Sequence, residues 1–454
     1  MTNTTKKKIW NYLDHMEGDK VVWMILLMLM LISILLIFSS SSRLVNASTS
    51  RLDIAFDHIK VVLGSLALVI VIYNIKNIEV FRNLSRFGYL ISLIILILLL
   101  FLGVRVNGAV RFFKIGSFQI HVFEVVKVAM MMYLAYAIDA LENKRPLLIE
   151  QIFKDNEKLK FLKDIRVRKA VLLYIPFLSI IPLLMKGSNS TAIFISLIMI
   201  VTIMVGTKDY KLTCIMVSLL LAIGVFAFST YSISKKRGDD PPKFERVGTA
   251  IGRLFSAGEV KHYKEAKDPI EKQAALDKIY QPYSARIAIH QGKLLGKGPG
   301  QSTQRYIVPD MSADYMFSFI IEEYGLLAFF VLALYLSLLA RGTLIIKNCA
   351  NNIFAKCAIF GLVLLISGQA FIHIFVNMDP GILTGQTLPL LSHGSFAFMC
   401  FSIAFGIILS ISRIANKGME RASKEAASLS TVESKDNISE SLSDLDNFES
   451  NGEV

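Results

Sequence analysis

Charge is what this chain has least of. Only 19% of its 454 residues are Asp, Glu, Lys or Arg, where an ordinary soluble domain carries about a quarter, so a fully water-exposed surface is excluded. Cysteine is scarce as well. Cys214, Cys349, Cys357 and Cys400 sit in or beside apolar blocks, none at zinc spacing and none in the long polar stretch where a disulfide could form. The seven histidines make no cluster with Asp or Glu at metal-ligand spacing. No repeat of 20–50 residues is visible, which sets solenoids aside. The net charge of +13 does not point to nucleic acid, because the Lys and Arg residues fall in short stretches between apolar blocks.

What the sequence has is hydrocarbon. Hydrophobic residues make up 54% of it, arranged in blocks of roughly 17 to 25, the length that crosses a bilayer core. The expected fold is an all-α polytopic membrane protein with about ten transmembrane helices. The spans fall near 21–40, 58–75, 87–105, 120–141, 169–186, 190–206, 211–231, 315–340, 352–377 and 388–413. The first block is too long and too poorly terminated for a cleaved signal, so it reads as an anchor. Basic residues concentrate on one side of the spans if both termini are cytoplasmic. Arg105, Arg111 and Lys114 are the exceptions and stand outside.

The domain reading follows. Residues 1–20 form a cytoplasmic N-terminal segment and 21–231 carry spans one to seven. Residues 232–313 are one long extracytoplasmic loop with a helical stretch, and 314–415 hold spans eight to ten with a re-entrant segment. Residues 416–454, rich in Ser and acid, are expected to be a disordered cytoplasmic tail.

The candidate chemistry lies where polar residues enter apolar blocks. "VPDMSADYMFSFIIEEYG" brings Asp310, Asp314, Glu322 and Glu323 to the mouth of the eighth span. Asp314 suits a proton acceptor facing both an aqueous cavity and a lipid-held substrate, or equally an N-cap for the helix that follows. Glu322 and Glu323 point about 100° apart on a helix, so one should pair with a cation inside the bundle. Arg111 and Lys127 suit either a carboxylate or a phosphate. Lys127 stands three residues after Glu124, which also permits an intrahelical pair. The Gly- and Pro-dense "VNMDPGILTGQTLPLLSHGS" predicts broken backbone lining a cavity, with Asn377, Asp379, Thr384, Ser392 and His393 facing it. "GKGPG" at 296–300 lacks the GK[ST] ending of a nucleotide loop and reads as a flexible turn.

These residues resemble a known family, the SEDS (shape, elongation, division and sporulation) membrane proteins, over about residues 10–415. The ordered match runs through Tyr280, Gln281, Ala288, Ile289, Gly296, Gly298, Gly300, Ser302, Pro309, Asp314, Tyr315, Glu322, Glu323 and Gly325. An earlier stretch keeps Asn107, Gly108, Arg111, Gly116, Glu124 and Lys127, but has Phe112 for Trp and His121, Val122 and Phe123 for Gln-Pro-Ser. A later one keeps Gln369, Asn377, Thr384, Gly385, Leu388, Pro389, Ser392 and Gly394, with Ile382, His393 and Ser395 as departures.

The resemblance implies a peptidoglycan glycosyltransferase in the bacterial cytoplasmic membrane that polymerises lipid II, an undecaprenyl-pyrophosphate-linked disaccharide-pentapeptide. It implies Asp314 as general base, with Glu322 and Glu323 in supporting ion pairs. Arg111 and Lys127 would hold the pyrophosphate. Glu124, Gln281, Ser302, Asn377, Thr384, Ser392 and His393 would line the cavity. No cofactor is certain, and a divalent cation, magnesium or manganese, is left open. The implied partners are a class B penicillin-binding protein transpeptidase and other divisome proteins. "GKGPGQSTQR" is more like the FtsW branch than the RodA branch, which implies septal division rather than elongation. Two alternatives stay open on these residues: a lipid II flippase and a non-catalytic scaffold.

Overall fold

The computed structural model describes residues 17–41, 50–106, 109–116, 118–147, 150, 164–238, 247–248, 269–308, 311–349, 352–378 and 385–450. In chain order the helices are α1 (Lys20–Ser40), α2 (Arg51–Tyr73), α3 (Ile78–Ser85), α4 (Gly88–Leu102), α5 (Val122–Glu142), α6 (Ile165–Gly187), α7 (Asn189–Thr207) and α8 (Tyr210–Arg237). They continue with α9 (Pro269–Gly292), α10 (Met316–Tyr324), α11 (Ala328–Asn348), α12 (Ile353–Met378) and α13 (Ser395–Ser450). Among the described residues eight helices are long and apolar enough to cross a membrane, or nine if α3 and α4, bent by 42°, count as one. The protein is therefore a helical, multi-pass membrane protein. Phe56, Leu221 and Phe226 expose 59%, 65% and 65% of their surface on helix faces, which water would penalise and lipid does not.

Local signals set the helix ends. The Asp19 carboxylate accepts from the N–H groups of Val21 and Val22 to start α1. A capping box of Ser50 and Asp53 starts α2, which is why that helix begins seven residues before the expected 58. Asp209 caps α8 through Leu212 N–H and pairs with Lys169 at 2.6 Å. That helix runs past the expected end at 231 to Arg237, where Gly238 turns left-handed. The eighth expected span is broken in two. Gly325 takes φ 56°, ψ −129°, and a Cβ there would collide with the Leu294 carbonyl.

Two expectations are corrected. The stretch at 104–119, read as a loop, is a three-stranded antiparallel sheet of β1 (Val104–Val106), β2 (Ala109–Ile115) and β3 (Phe118–His121). Its β-branched and aromatic residues favour strands, and Gly116 at φ 61° makes the β2–β3 turn. Within 416–454, expected to be a disordered tail, α13 continues to Ser450. A helix satisfies its own backbone without a tertiary partner, so poverty in apolar groups does not by itself forbid it.

The centre of the bundle is α5, where 17 of 21 residues are buried, packed against α12, α7 and α4. It was expected as a span and carries four charges, Glu124, Lys127, Asp139 and the terminal Glu142. Glu124 and Lys127 stand near its start. Near its end Asp139 is paired with Arg82 at 3.0 Å and Arg145 at 2.9 Å. Buried charge of this kind is tolerated only when paired.

Candidate active site

A cavity of about 210 Å³ opens where β2, the start of α5, the α6–α7 turn, the Asp314 turn and the segment before α13 converge. Asp314, Arg111, Glu124 and His393 line it, together with His121, Thr191, Gln386 and Thr387. Of the residues proposed from sequence, these first four meet as expected. The cap position of α10 is Tyr315, one residue after Asp314, and its side chain makes no cap bond. The first helical N–H groups go elsewhere, Phe317 to His373 Nε2 at 3.3 Å and Ser318 to Asn377 Oδ1 at 3.1 Å. Asp314 therefore stands one position before the cap.

Arg111 reaches the cavity from the middle of β2. Its Nε and the Oε2 of Glu124 are buried and have no hydrogen-bond partner among the described residues, the state expected of groups awaiting a ligand. His121 also lines the wall. Arg111 is the one Lys or Arg among the described residues that line the cavity.

Lys127 is corrected. It is 1% exposed and lies beneath the cavity wall, not in it. Its ammonium donates to Glu124 Oε1 at 2.7 Å, Gln369 Oε1 at 2.8 Å and Gln386 Oε1 at 3.0 Å, so its three protons are used. It holds two wall residues, Glu124 and Gln386, instead of a phosphate. Gln386 in turn donates to Thr191 Oγ1 at 2.8 Å, which ties α7 to the same wall.

Glu322 and Glu323 are both buried, each with its own partners. Glu322 accepts from Lys297 Nζ and from the hydroxyls of Ser302 and Thr303, and from Thr303 N–H. Glu323 accepts from the Ser39 hydroxyl at 2.8 Å and Ser302 N–H at 3.3 Å, with Arg305 Nη1 at 3.6 Å. Each of the two has a cation of its own, Lys297 for Glu322 and Arg305 for Glu323. The glycine-rich loop wraps the helix and meets both faces. Lys297 and Gly298 N–H groups also bond the Glu322 and Glu323 carbonyls, each at 2.9 Å. Gly296 sits so close, at φ 76°, that a Cβ would strike the Glu323 carbonyl. The loop read as flexible is stitched down.

Other expected cavity residues move to the second layer. Ser302 serves Glu322, and Gln281 lies on α9 away from the wall. Asn377 and Ser392 stand behind Asp314 and hold the carbonyls of Asp314 and Ala313 respectively. Asp310, Asp379 and Thr384 lie outside the described residues. The sequence reading missed Thr191, Gln386 and Thr387 in the wall. The only signal was polarity, Gln386 and Thr387 in the irregular stretch before the tenth span and Thr191 at the start of the sixth. Among the described residues no group of three or more His, Cys, Asp or Glu is placed to hold a metal ion, and no step is routed through one.

The chain is similar to proteins already characterised. A family described as "Cell cycle protein", defined on FtsW, RodA and SpoVE, matches residues 19–417. The peptidoglycan glycosyltransferase MrdB of Escherichia coli is 24% identical over 420 residues, 90% of this chain and 96% of the relative. A probable peptidoglycan glycosyltransferase FtsW of Caulobacter vibrioides is 25% identical over 73% of each chain. Stage V sporulation protein E of Bacillus subtilis is 25% identical over 87% and 97%. In three dimensions the chain is similar to the rod shape determining protein RodA of Thermus thermophilus, with a TM-score of 0.55 at 18% identity over 88% of this chain and 98% of that one. A chain of a peptidoglycan synthase complex that coordinates polymerization and crosslinking superposes at 0.57, also at 18% identity, over 88% and 98%.

Proposed function

The chain belongs to the FtsW, RodA and SpoVE family, and on that premise we propose that it is a peptidoglycan glycosyltransferase that polymerises lipid II. The observation that carries the reading is the cavity, which the Asp314 carboxylate and the cation Arg111 line together. The names of the relatives, peptidoglycan glycosyltransferases of both the FtsW and MrdB kinds, support the chemistry.

In this mechanism Asp314 accepts the proton of the 4-hydroxyl of the acceptor's GlcNAc. The oxygen attacks the anomeric carbon of the donor's MurNAc. The bond to undecaprenyl pyrophosphate breaks with inversion from α to β, and Arg111 holds the departing pyrophosphate through charge-assisted hydrogen bonds. The cavity faces the outside of the cytoplasmic membrane, with both termini in the cytoplasm. The "GKGPGQSTQR" loop favours a septal, division-specific role over elongation. The structural likeness to a chain of a synthase complex supports a transpeptidase of the class B penicillin-binding type as partner.

The test is purified protein with lipid II in detergent, with and without that transpeptidase. Glycan chains are expected, and none from Asp314→Asn. A flippase has no work in a system without two compartments and would yield no chains. A scaffold would leave Asp314→Asn able to complement a deletion in cells.

A further inference from the structure

Asp314 has no rigid element of its own. It lies in the turn just before α10, and catalytic geometry tolerates little displacement. Three consecutive carbonyls of this turn are nevertheless held from one direction. The His393 N–H donates to the Ser312 carbonyl at 2.8 Å, the Ser392 hydroxyl to that of Ala313 at 2.8 Å, and the Asn377 amide to that of Asp314 at 3.1 Å.

Asn377 is 2% exposed, and both ends of its amide are engaged. Its Oδ1 accepts from the Ser318 N–H at 3.1 Å and the Ser318 hydroxyl at 2.8 Å, and its Nδ2 gives a second bond to the His373 carbonyl at 2.9 Å. Only a side-chain amide both donates and accepts in this way. Asn377 therefore grips α10 on both sides of the Tyr315 cap, at Asp314 and at Ser318.

The gripping side is itself fixed. His373 Nδ1 bonds the Gln386 carbonyl at 2.7 Å, Gln369 Nε2 the Thr387 carbonyl at 2.9 Å, and the Tyr335 hydroxyl the Pro389 carbonyl. Within this segment Leu390 adopts φ 58°, a conformation that a branched side chain holds only where its surroundings impose it.

We infer that Asn377 is a positioning residue that aims the Asp314 carboxylate into the cavity through the Asp314 carbonyl, with Ser392 as a weaker second rung. This rests on the reading of Asp314 as the base. The experiment measures kcat and KM for lipid II per folded molecule in detergent, beside the melting temperature of each variant. Asn377→Ala is expected to lower kcat by at least about tenfold with KM within about twofold, as for loss of alignment in the transition state. Ser318→Ala removes one contact of Asn377 and spares its grip on Asp314, so its kcat is expected to stay within about twofold of wild type. Should Asn377→Ala not fold, Ser392→Ala carries the test, with a loss of several-fold expected.

An unchanged kcat in Asn377→Ala, or in Ser392→Ala where it stands in, overturns the inference. So does an equal loss in Asn377→Ala and Ser318→Ala that follows their melting temperatures, which would mean packing alone. If the wild-type protein makes no glycan, the glycosyltransferase reading falls instead.

Discussion

Asp314 and Glu322 are eight positions apart in the sequence, yet their surroundings are opposed. Glu322 is fully buried and meets a ring of donors from the glycine-rich loop. Asp314 faces a cavity whose wall carries an Arg111 nitrogen with no partner among the described residues. The same contrast separates Lys127, which has three acceptors beneath the wall, from Arg111 within it. A charge whose bonds are closed inside the protein contributes to stability. A charge left facing a cavity can serve a ligand. Four residues that look alike in the sequence divide cleanly by this test.

Substitutions can break or sharpen that division. The largest effect on turnover is expected at Asp314. Asp314→Asn should cost about 10²–10⁴-fold in glycan synthesis with an unchanged melting curve, measured in the lipid II assay and by thermal unfolding. A normal rate would end the contrast. Next is Lys127→Met, which strands Glu124 and two glutamines. It should cost roughly 3–5 kcal/mol of stability, seen as a lower melting temperature and lower folded yield. A raised KM for lipid II in a fully stable variant would return Lys127 to the ligand-binding side.

Glu322→Ala should come third. It leaves the donors of Ser302 and Thr303 without their acceptor, at about 1–3 kcal/mol for each buried group left unpaired, while activity per folded molecule falls only a few-fold. A loss on the scale of Asp314→Asn with intact stability would place Glu322 in the chemistry. The smallest change is expected from Arg111→Gln. Its loss of a charge-assisted bond, worth about 1.5–3 kcal/mol, should raise KM for lipid II about tenfold or more and leave the melting temperature alone.

Much of this was legible in the sequence. Hydropathy placed most span ends to within a few residues, because crossing lipid imposes length and composition together, but it missed the start of α2 and the end of α8 by about two turns, and of the ten spans expected the described residues show eight or nine. The Asp19, Asp209 and Gly238 end signals are local and readable. Asp314, Arg111, Glu124 and His393 could be singled out because polar side chains are expensive in apolar blocks. What could not be read was who pairs with whom. Lys127 and Gln369 are 242 positions apart, and Ser39 and Glu323 are 284 apart. Such pairs are decided by how helices pack, and no local pattern announces them. The β1–β3 sheet was hidden for a different reason, since short strands between long spans look like any connecting loop.

The broken span of α10 and α11 also measures depth. Arg341 pairs with Asp19 at 2.6 Å where α1 begins, a charged contact suited to one surface of the bilayer. Asp314 stands 27 positions earlier, at most about 40 Å away at 1.5 Å per helical residue. A hydrocarbon layer is about 30 Å thick. Even with its break at Gly325, the Met316–Asn348 segment is long enough for one crossing, which sets Asp314 and the Arg341–Asp19 pair at its two opposite ends.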